Sequence, residues 1–293
     1  MGKLDAFSEI IERQTPASNL TWLRVGGPVD VARPRSEKEL ADLLKACRAD
    51  GVEARALGDG SNLLIPDDGS ARLAVRLSEP AFGRLELDSP RIVAGAGVKL
   101  GRLATAAASA GLAGVEGLIG VPGEVGAGVA LNVSTHDVSI GQWVESARVV
   151  GYDGEPRDMS HDDFVFGYRG VAFTNAIVVS VTFRLDPDSP EELAKRLQKI
   201  WIARKKQIPE LLDGEGVARM FKNPIGQNAA ELVDAINYRG VAVGGAKVSD
   251  SDPNLVVVKR GCSHKDVQRL LDAIQTEARE RLGVELEREL ENW

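Results

Sequence analysis

With 293 residues, 43% of them hydrophobic and 27% charged, the chain can build two or three hydrophobic cores. A net charge of −7 argues against general nucleic-acid binding, while a local basic pocket for an anionic small molecule stays open. Cys47 and Cys262 form no spaced cluster and His136, His161 and His264 lie far apart, so two free thiols, no disulfide and no metal site are expected. The first residues, MGKLDAFSEI, lack the apolar core of a signal peptide, and no apolar run is long enough for a bilayer. The expectation is a soluble cytoplasmic protein with no membrane or nucleic-acid partner.

In chain order, Leu4, Phe7, Ile10 and Ile11 share one helical face and predict a short helix over 4–14. The stretch TWLRVGGPVDVARP, Thr21 to Pro34, reads as two short strands around a Gly-Gly-Pro turn. Ser36 with Glu39 is a capping box, Leu40, Leu43, Leu44 and Cys47 form the buried stripe of the helix it opens, and Gly51 closes that helix. A strand from Ala54 to Leu57 runs into Gly58-Asp59-Gly60-Ser61-Asn62, with Leu63 to Ile65 beyond. Such a turn exposes N–H donors and small polar groups, which suits a phosphate; an ordinary tight turn fits the same five residues. Short apolar pieces between 73 and 98 suggest strands, and Leu100 to Ala110 is an alanine-rich helix.

Gly111 to Asn132, GLAGVEGLIGVPGEVGAGVALN, is the most unusual stretch, with glycine at 111, 114, 117, 120, 123, 126 and 128. Each interior glycine costs a helix about 1 kcal/mol relative to alanine, so a long regular helix is disfavoured. The segment is too apolar for a linker. Collagen is excluded because the period stops and proline is scarce. Two readings remain, a cradle for a cofactor's phosphates and close packing of a short helix on a sheet. A second Gly-rich turn about fifty residues earlier in the chain favours a long dinucleotide. No G-x-G-x-x-G follows a strand, so a Rossmann site is not supported.

Val144 to Gly151 and Ile177 to Leu185 read as strands joined by a loop carrying Phe166-Gly167-Tyr168-Arg169. The polar, proline-bounded Asp186 to Pro190 suggests a domain boundary. Pro190 to Lys206 is a basic amphipathic helix with Leu193, Leu197, Ile200 and Trp201 on one face. Its end, Arg204-Lys205-Lys206, suits either a solvated helix terminus or a diphosphate contact. Then follow Met220-Phe221-Lys222-Asn223-Pro224, a helix from Ala229 to Ile236, strands near 241–248 and 255–259, and a last helix from His264 to Arg281.

Seven pieces occur in register: RVGGP from Arg24, GDGSNLL from Gly58, GLIGVPGEVGAGVALN from Gly117, FGYR from Phe166, FKNP from Phe221, GGAKVSD from Gly244 and VELERE from Val284. Together the set resembles the UDP-N-acetylenolpyruvoylglucosamine reductase family, FAD enzymes of peptidoglycan precursor synthesis, over nearly the whole chain and in its compact form. The resemblance implies an α+β fold. A two-part FAD-binding domain of the vanillyl-alcohol-oxidase/PCMH type would occupy 1–78 and 79–187, with a C-terminal α+β substrate domain over 188–293.

It implies FAD and NADPH as cofactors and a UDP-sugar as substrate, and makes no statement about oligomeric state. Arg24, Gly26, Gly58, Asp59, Gly60, Ser61, Asn62, Gly117, Gly120, Pro122, Gly123, Val125, Gly126 and Asn132 would line the flavin and its pyrophosphate. Tyr168, Lys222 and Asn223 would face the substrate or the nicotinamide phosphates, and Arg169 and Glu289 would serve catalysis. Where the family places a proton-donating serine, two residues before FKNP, this chain has Arg219. Arginine stays charged and is a poor acid. Arg219 could instead clamp the substrate carboxylate or stabilise the enolate, with water or Glu289 supplying the proton. The alternative is a flavin-binding relative whose catalysis is altered or lost, acting on another substrate or as a binding or regulatory protein. Two further departures are expected to weaken the site: Asp59 puts a carboxylate near a pyrophosphate, and Arg288, in place of a proline, loosens the placement of Glu289.

Overall fold

The computed structural model describes residues 2–78, 80–135, 138–167, 170–171, 175–206, 209 and 211–293; Tyr168, Arg169 and His136 lie outside the described residues. They form two compact units. One comprises Met1–Arg13, Asp30–Gly58 and Ala71–Lys205, the other Gln14–Val29, Asp59–Ser70 and Lys206–Trp293. The polar stretch at 186–190 lies inside the first unit, where Asp186–Pro187 pairs antiparallel with Leu112–Ala113.

The first unit carries a four-stranded sheet in the order Ile11–Pro16, Pro28–Ala32, Ser70–Val75, Ala54–Ala56. Its last pair is parallel, with Ala54 opposite Leu73. Helix α1, Glu37–Asp50, starts where Ser36 Oγ accepts the Glu39 amide. The Glu39 carboxylate accepts the amide of Arg35, one residue earlier than a capping box requires. Gly51 ends α1 at φ 69°, and Leu40, Leu43, Leu44 and Cys47 are buried as their spacing implies. The helix expected over 4–14 does not form: Lys3–Phe7 is a 3-10 turn and Ile11 opens a strand. Four apolar residues at helical spacing fit either state, and pairing across the sheet decides. Of the two strands expected around Gly-Gly-Pro, only Pro28–Ala32 forms.

A five-stranded antiparallel sheet follows, in the order Pro156–Ser160, Val144–Gly151, Ala176–Arg184, Arg91–Gly95, Leu85–Asp88. The first of these strands and the short pair Phe166–Gly167 with Gly170–Val171 lie within the expected loop. Helix α2, Leu100–Ser109, and the glycine segment bury Leu100, Leu103, Val115, Leu118, Val125 and Val129 with Ile92, Val149, Val181 and Phe183 of this sheet. Within the glycine segment only Glu116–Leu118, a 3-10 turn, and α3, Val125–Ala130, are helical. Helix α4, Pro190–Lys205, buries Leu193 alone, with Leu197 packed at the edge of the core. Trp201, expected on the inner face, is 47% exposed and carries Lys205 Nζ 5.2 Å from its ring centroid.

The second unit has an antiparallel sheet in the order Gly216–Arg219, Leu255–Val258, Ala246–Val248, Ala242–Val243. Helices α5, Ala229–Ala235, and α6, His264–Leu282, close one core with it around Phe221, Val233, Val256, Leu270 and Ile274. Strand Gly216–Arg219 had no local signature; a Cβ at Gly216 would sit 2.3 Å from the Leu23 carbonyl oxygen, so this strand needs glycine to lie on residues 22–23. The C-terminal Glu291–Asn292 pairs in parallel with Leu63–Leu64. No described helix is long and apolar enough to cross a membrane.

Candidate active site

Three of the sequence motifs meet in the second unit. The tail runs antiparallel to the strand end that carries FKNP. The Glu289 amide donates to the Met220 carbonyl at 2.9 Å and the Lys222 amide to the Glu287 carbonyl at 2.9 Å. On its other side the Glu289 carbonyl accepts from Asn62 Nδ2 at 2.5 Å, across 227 positions of sequence, and the Glu291 amide donates back to the Asn62 carbonyl. Asn62 at the end of the turn, the strand end that carries FKNP and the tail therefore share one hydrogen-bond network. The half-buried Glu289 is bonded through its backbone on both sides, to Met220 and to Asn62.

Asn254, fully buried, fixes the strand end by accepting the Phe221 amide at Oδ1 and returning Nδ2 to the Phe221 carbonyl. Lys222 Nζ lies 2.5 Å from Glu287 Oε1. Asn223 Oδ1 accepts the Ala229 amide at the start of α5, so part of its predicted binding capacity is used structurally. Arg219 is half-exposed with Nη2 3.4 Å from Asp252 Oδ2, too long for a firm hydrogen bond. Asp252 is itself held, its Oδ1 accepting the Asn254 amide at 2.8 Å.

In the turn, Gly60 has φ +66° and a Cβ there would lie 2.2 Å from the Leu20 carbonyl oxygen. Gly26, φ +112°, meets the Ile65 carbonyl in the same way. The neighbouring Arg24 has φ 57° and is exposed. The amides of Gly60 and Ser61 donate to nothing among the described residues, and both residues are partly open to solvent. Free, convergent N–H groups are what an anion needs.

In the first unit the two Gly-rich stretches touch: a Cβ at Gly58 would stand 2.9 Å from Ala127 Cβ on α3. Packing explains several of the remaining glycines. A Cβ at Gly117 would meet Val138, at 2.6 Å, and one at Gly126 would meet Ala96, at 2.7 Å. Gly120 and Gly123 differ. Nothing lies closer than 3.5 Å to a Cβ at either, their amides donate to nothing among the described residues, and with Pro122 they form an accessible rim. Val125 is buried, with its amide on the Val98 carbonyl. Close packing thus accounts for the glycines behind the loop, while Gly120 and Gly123 leave open donors in front of it.

Reading the sequence missed the buried Glu124 just before α3, which pairs with Lys99 Nζ at 2.9 Å. The side chain of Asn132, which the motif assigns to the cofactor, accepts the Gly141 amide and donates to the Gly167 carbonyl. Asn132 thereby clips the end of the glycine segment to the strand that precedes Tyr168. Of the basic run, Arg204 donates to the Ile119 carbonyl beside Gly120, so its guanidinium is part of the loop's support.

Burial and the nearby Asp50 push the Cys47 thiol up to about 11, and burial with Asp266 and Asp67 pushes Cys262 up to about 12. At pH 8 both thiols should resist a thiol reagent in the native protein and react after unfolding; ready labelling of either would contradict their burial. Because both values are raised by folding, the native state should lose stability as pH rises from about 9 towards 12, where the unfolded chain ionises first, and alkaline melting curves would show it.

Residues 28–160 match the model of the FAD binding domain, and residues 212–293 match that of the UDP-N-acetylenolpyruvoylglucosamine reductase C-terminal domain. A reductase of that name from Rhodopirellula baltica is 30% identical over 285 residues, covering 97% of this chain and 93% of the relative. One from Methylorubrum populi is 35% identical over 288 residues, covering 98% and 92%. The crystal structure of the Thermus caldophilus reductase superposes with a TM-score of 0.83 at 33% identity, over 97% of this chain and 98% of that one. Physcomitrella patens BBE-like 1 superposes with a TM-score of 0.58 at 14% identity and so shares the fold alone. By family models, near full-length identity and fold together, the chain belongs to the UDP-N-acetylenolpyruvoylglucosamine reductase family.

Proposed function

We propose that this protein reduces UDP-N-acetylenolpyruvoylglucosamine to UDP-N-acetylmuramate with NADPH in peptidoglycan precursor synthesis, working in the cytoplasm. The observation that carries the reading is the network joining Asn62, Met220, Lys222 and the tail, in which the backbone of Glu289, the residue matching the family's tail carboxylate, runs beside the FKNP segment. When bound, FAD supplies the relay of hydride from NADPH to the enolpyruvyl double bond. The open amides of Gly60 and Ser61, and separately those of Gly120 and Gly123, suit the phosphate oxygens of such a cofactor, and the family's motifs assign Arg24, Gly26, Gly58, Asp59, Asn62, Pro122 and Val125 to the same ligand. The functional parts would be 1–78 and 79–187 for the flavin and 188–293 for the substrate.

Hydride arrival builds negative charge that spreads onto the substrate carboxylate, and fixed cations stabilise it. Arg169 by its place in the motif, and Arg219 by its place at the strand end, take this role. A guanidinium is a cation with donors only and is a poor acid. The proton for the neighbouring carbon therefore comes from Glu289 or from a water that it holds. Lys222 meets substrate or nicotinamide phosphate. The reading in which catalysis is lost has less support, since Arg219 replaces an acid with a cation useful to the same transition state. Incubating the purified, flavin-loaded protein with NADPH and the enolpyruvyl nucleotide should yield a product heavier by one H2, detected by mass spectrometry. NADPH loss without that product would favour another substrate.

A further inference from the structure

Arg288 was expected to loosen the placement of Glu289, yet its own side chain is firmly anchored. Its guanidinium spans one face of α6: Nε donates to Gln275 Oε1 at 2.9 Å, Nη1 to Gln268 Oε1 at 2.6 Å, and Nη2 to Asp272 Oδ1. These acceptors stand at helical spacing, so one planar fork is held by three points of a buried-faced, 19-residue helix. Gln275 also donates Nε2 to the Leu286 carbonyl at 2.7 Å, tying the preceding turn of the tail to the same helix.

The backbone of Arg288 lies opposite Phe221 as a non-hydrogen-bonded antiparallel pair, and both polar groups of Phe221 are taken by Asn254. A proline at this place fixes the strand through its ring. Here the side chain does the fixing, from outside the ladder. The flanking residues stay on the ladder, with the Glu287 carbonyl and the Glu289 amide bonded to Lys222 and Met220. We propose that Arg288, through Gln268, Asp272 and Gln275, is a positioning residue that orients the Glu289 carboxylate for proton delivery in substrate reduction.

The inference rests on the role given to Glu289 above. Its test is rapid-mixing absorbance on the flavin-loaded protein, measuring flavin reduction by NADPH separately from flavin reoxidation by the enolpyruvyl nucleotide. Arg288→Met should slow reoxidation about 10- to 100-fold while reduction changes less than about 2-fold. The pair Gln268→Ala with Asp272→Ala, which keeps Arg288 but removes two of its anchors, should give a loss in the same step. In a Glu289→Gln background, Arg288→Met should add less than about 2-fold. Reoxidation unchanged in both the Arg288 and the anchor variants would overturn the inference, as would equal losses in both half-reactions or an undiminished loss in the Glu289→Gln background. If Glu289→Gln itself leaves reoxidation unchanged, the underlying role of Glu289 fails instead, which separates the two cases.

Discussion

Replacing Glu289 by glutamine should slow substrate-driven flavin reoxidation by about 10²- to 10⁴-fold, the span expected when a positioned acid or base is lost. Glutamine keeps the volume and polarity of the half-buried side chain. The backbone bonds of residue 289 to Met220 and Asn62 do not depend on the carboxylate. Melting temperature and flavin reduction by NADPH should therefore stay near parental values. A matching fall in both half-reactions would mean that the substitution disturbs the tail rather than the proton, and an unaltered reoxidation rate would remove Glu289 from the chemistry.

Arg219→Met should lower the same step by about 10²- to 10³-fold, the usual loss when one fixed partner of a developing anion is removed. Arg219→Ser separates two accounts of this position. If the guanidinium stabilises the enolate, serine restores a hydroxyl but loses the cation, and the variant should fall between the methionine form and the parent. Asp252, whose Oδ2 faces Arg219 at 3.4 Å, is then left without that cation, which adds to the loss. If the site is instead an impaired version of a serine-based one, Arg219→Ser should exceed the parent by more than about tenfold. Steady-state turnover of the two variants side by side decides between them.

Local signals carried much of the fold. Ser36 and Gly51 mark both ends of α1, and the Val144–Gly151 strand and α6 follow their apolar periods closely. What the sequence did not display was pairing at a distance. Gly216–Arg219 is only four residues long and becomes a strand through Leu255–Val258, while the tail's parallel partner, Leu63–Leu64, lies more than two hundred residues away. Periodicity encodes which face is buried, not which strand lies next to it.

The site was legible in a similar, divided way. Free amides at Gly60 and Gly120 agree with a glycine pattern read as an anion cradle, whereas Gly117 and Gly126 answer to Val138 and Ala96 behind the loop. One glycine signature covers both demands, since each needs the absence of a Cβ. The contacts of Asn132 and Arg288 left no local signal because their partners, Gly167 and three residues of α6, are neighbours only in the folded chain.

An NADPH-reduced flavin in this protein is expected to pass its electrons to an enolpyruvyl nucleotide. The most direct measurement is the visible absorbance of the flavin-loaded protein under anaerobic conditions. NADPH should bleach the yellow band, and UDP-N-acetylenolpyruvoylglucosamine alone, added next, should restore it. A band that bleaches and stays bleached after the nucleotide is added, or a protein that cannot be loaded with FAD at all, would contradict the account.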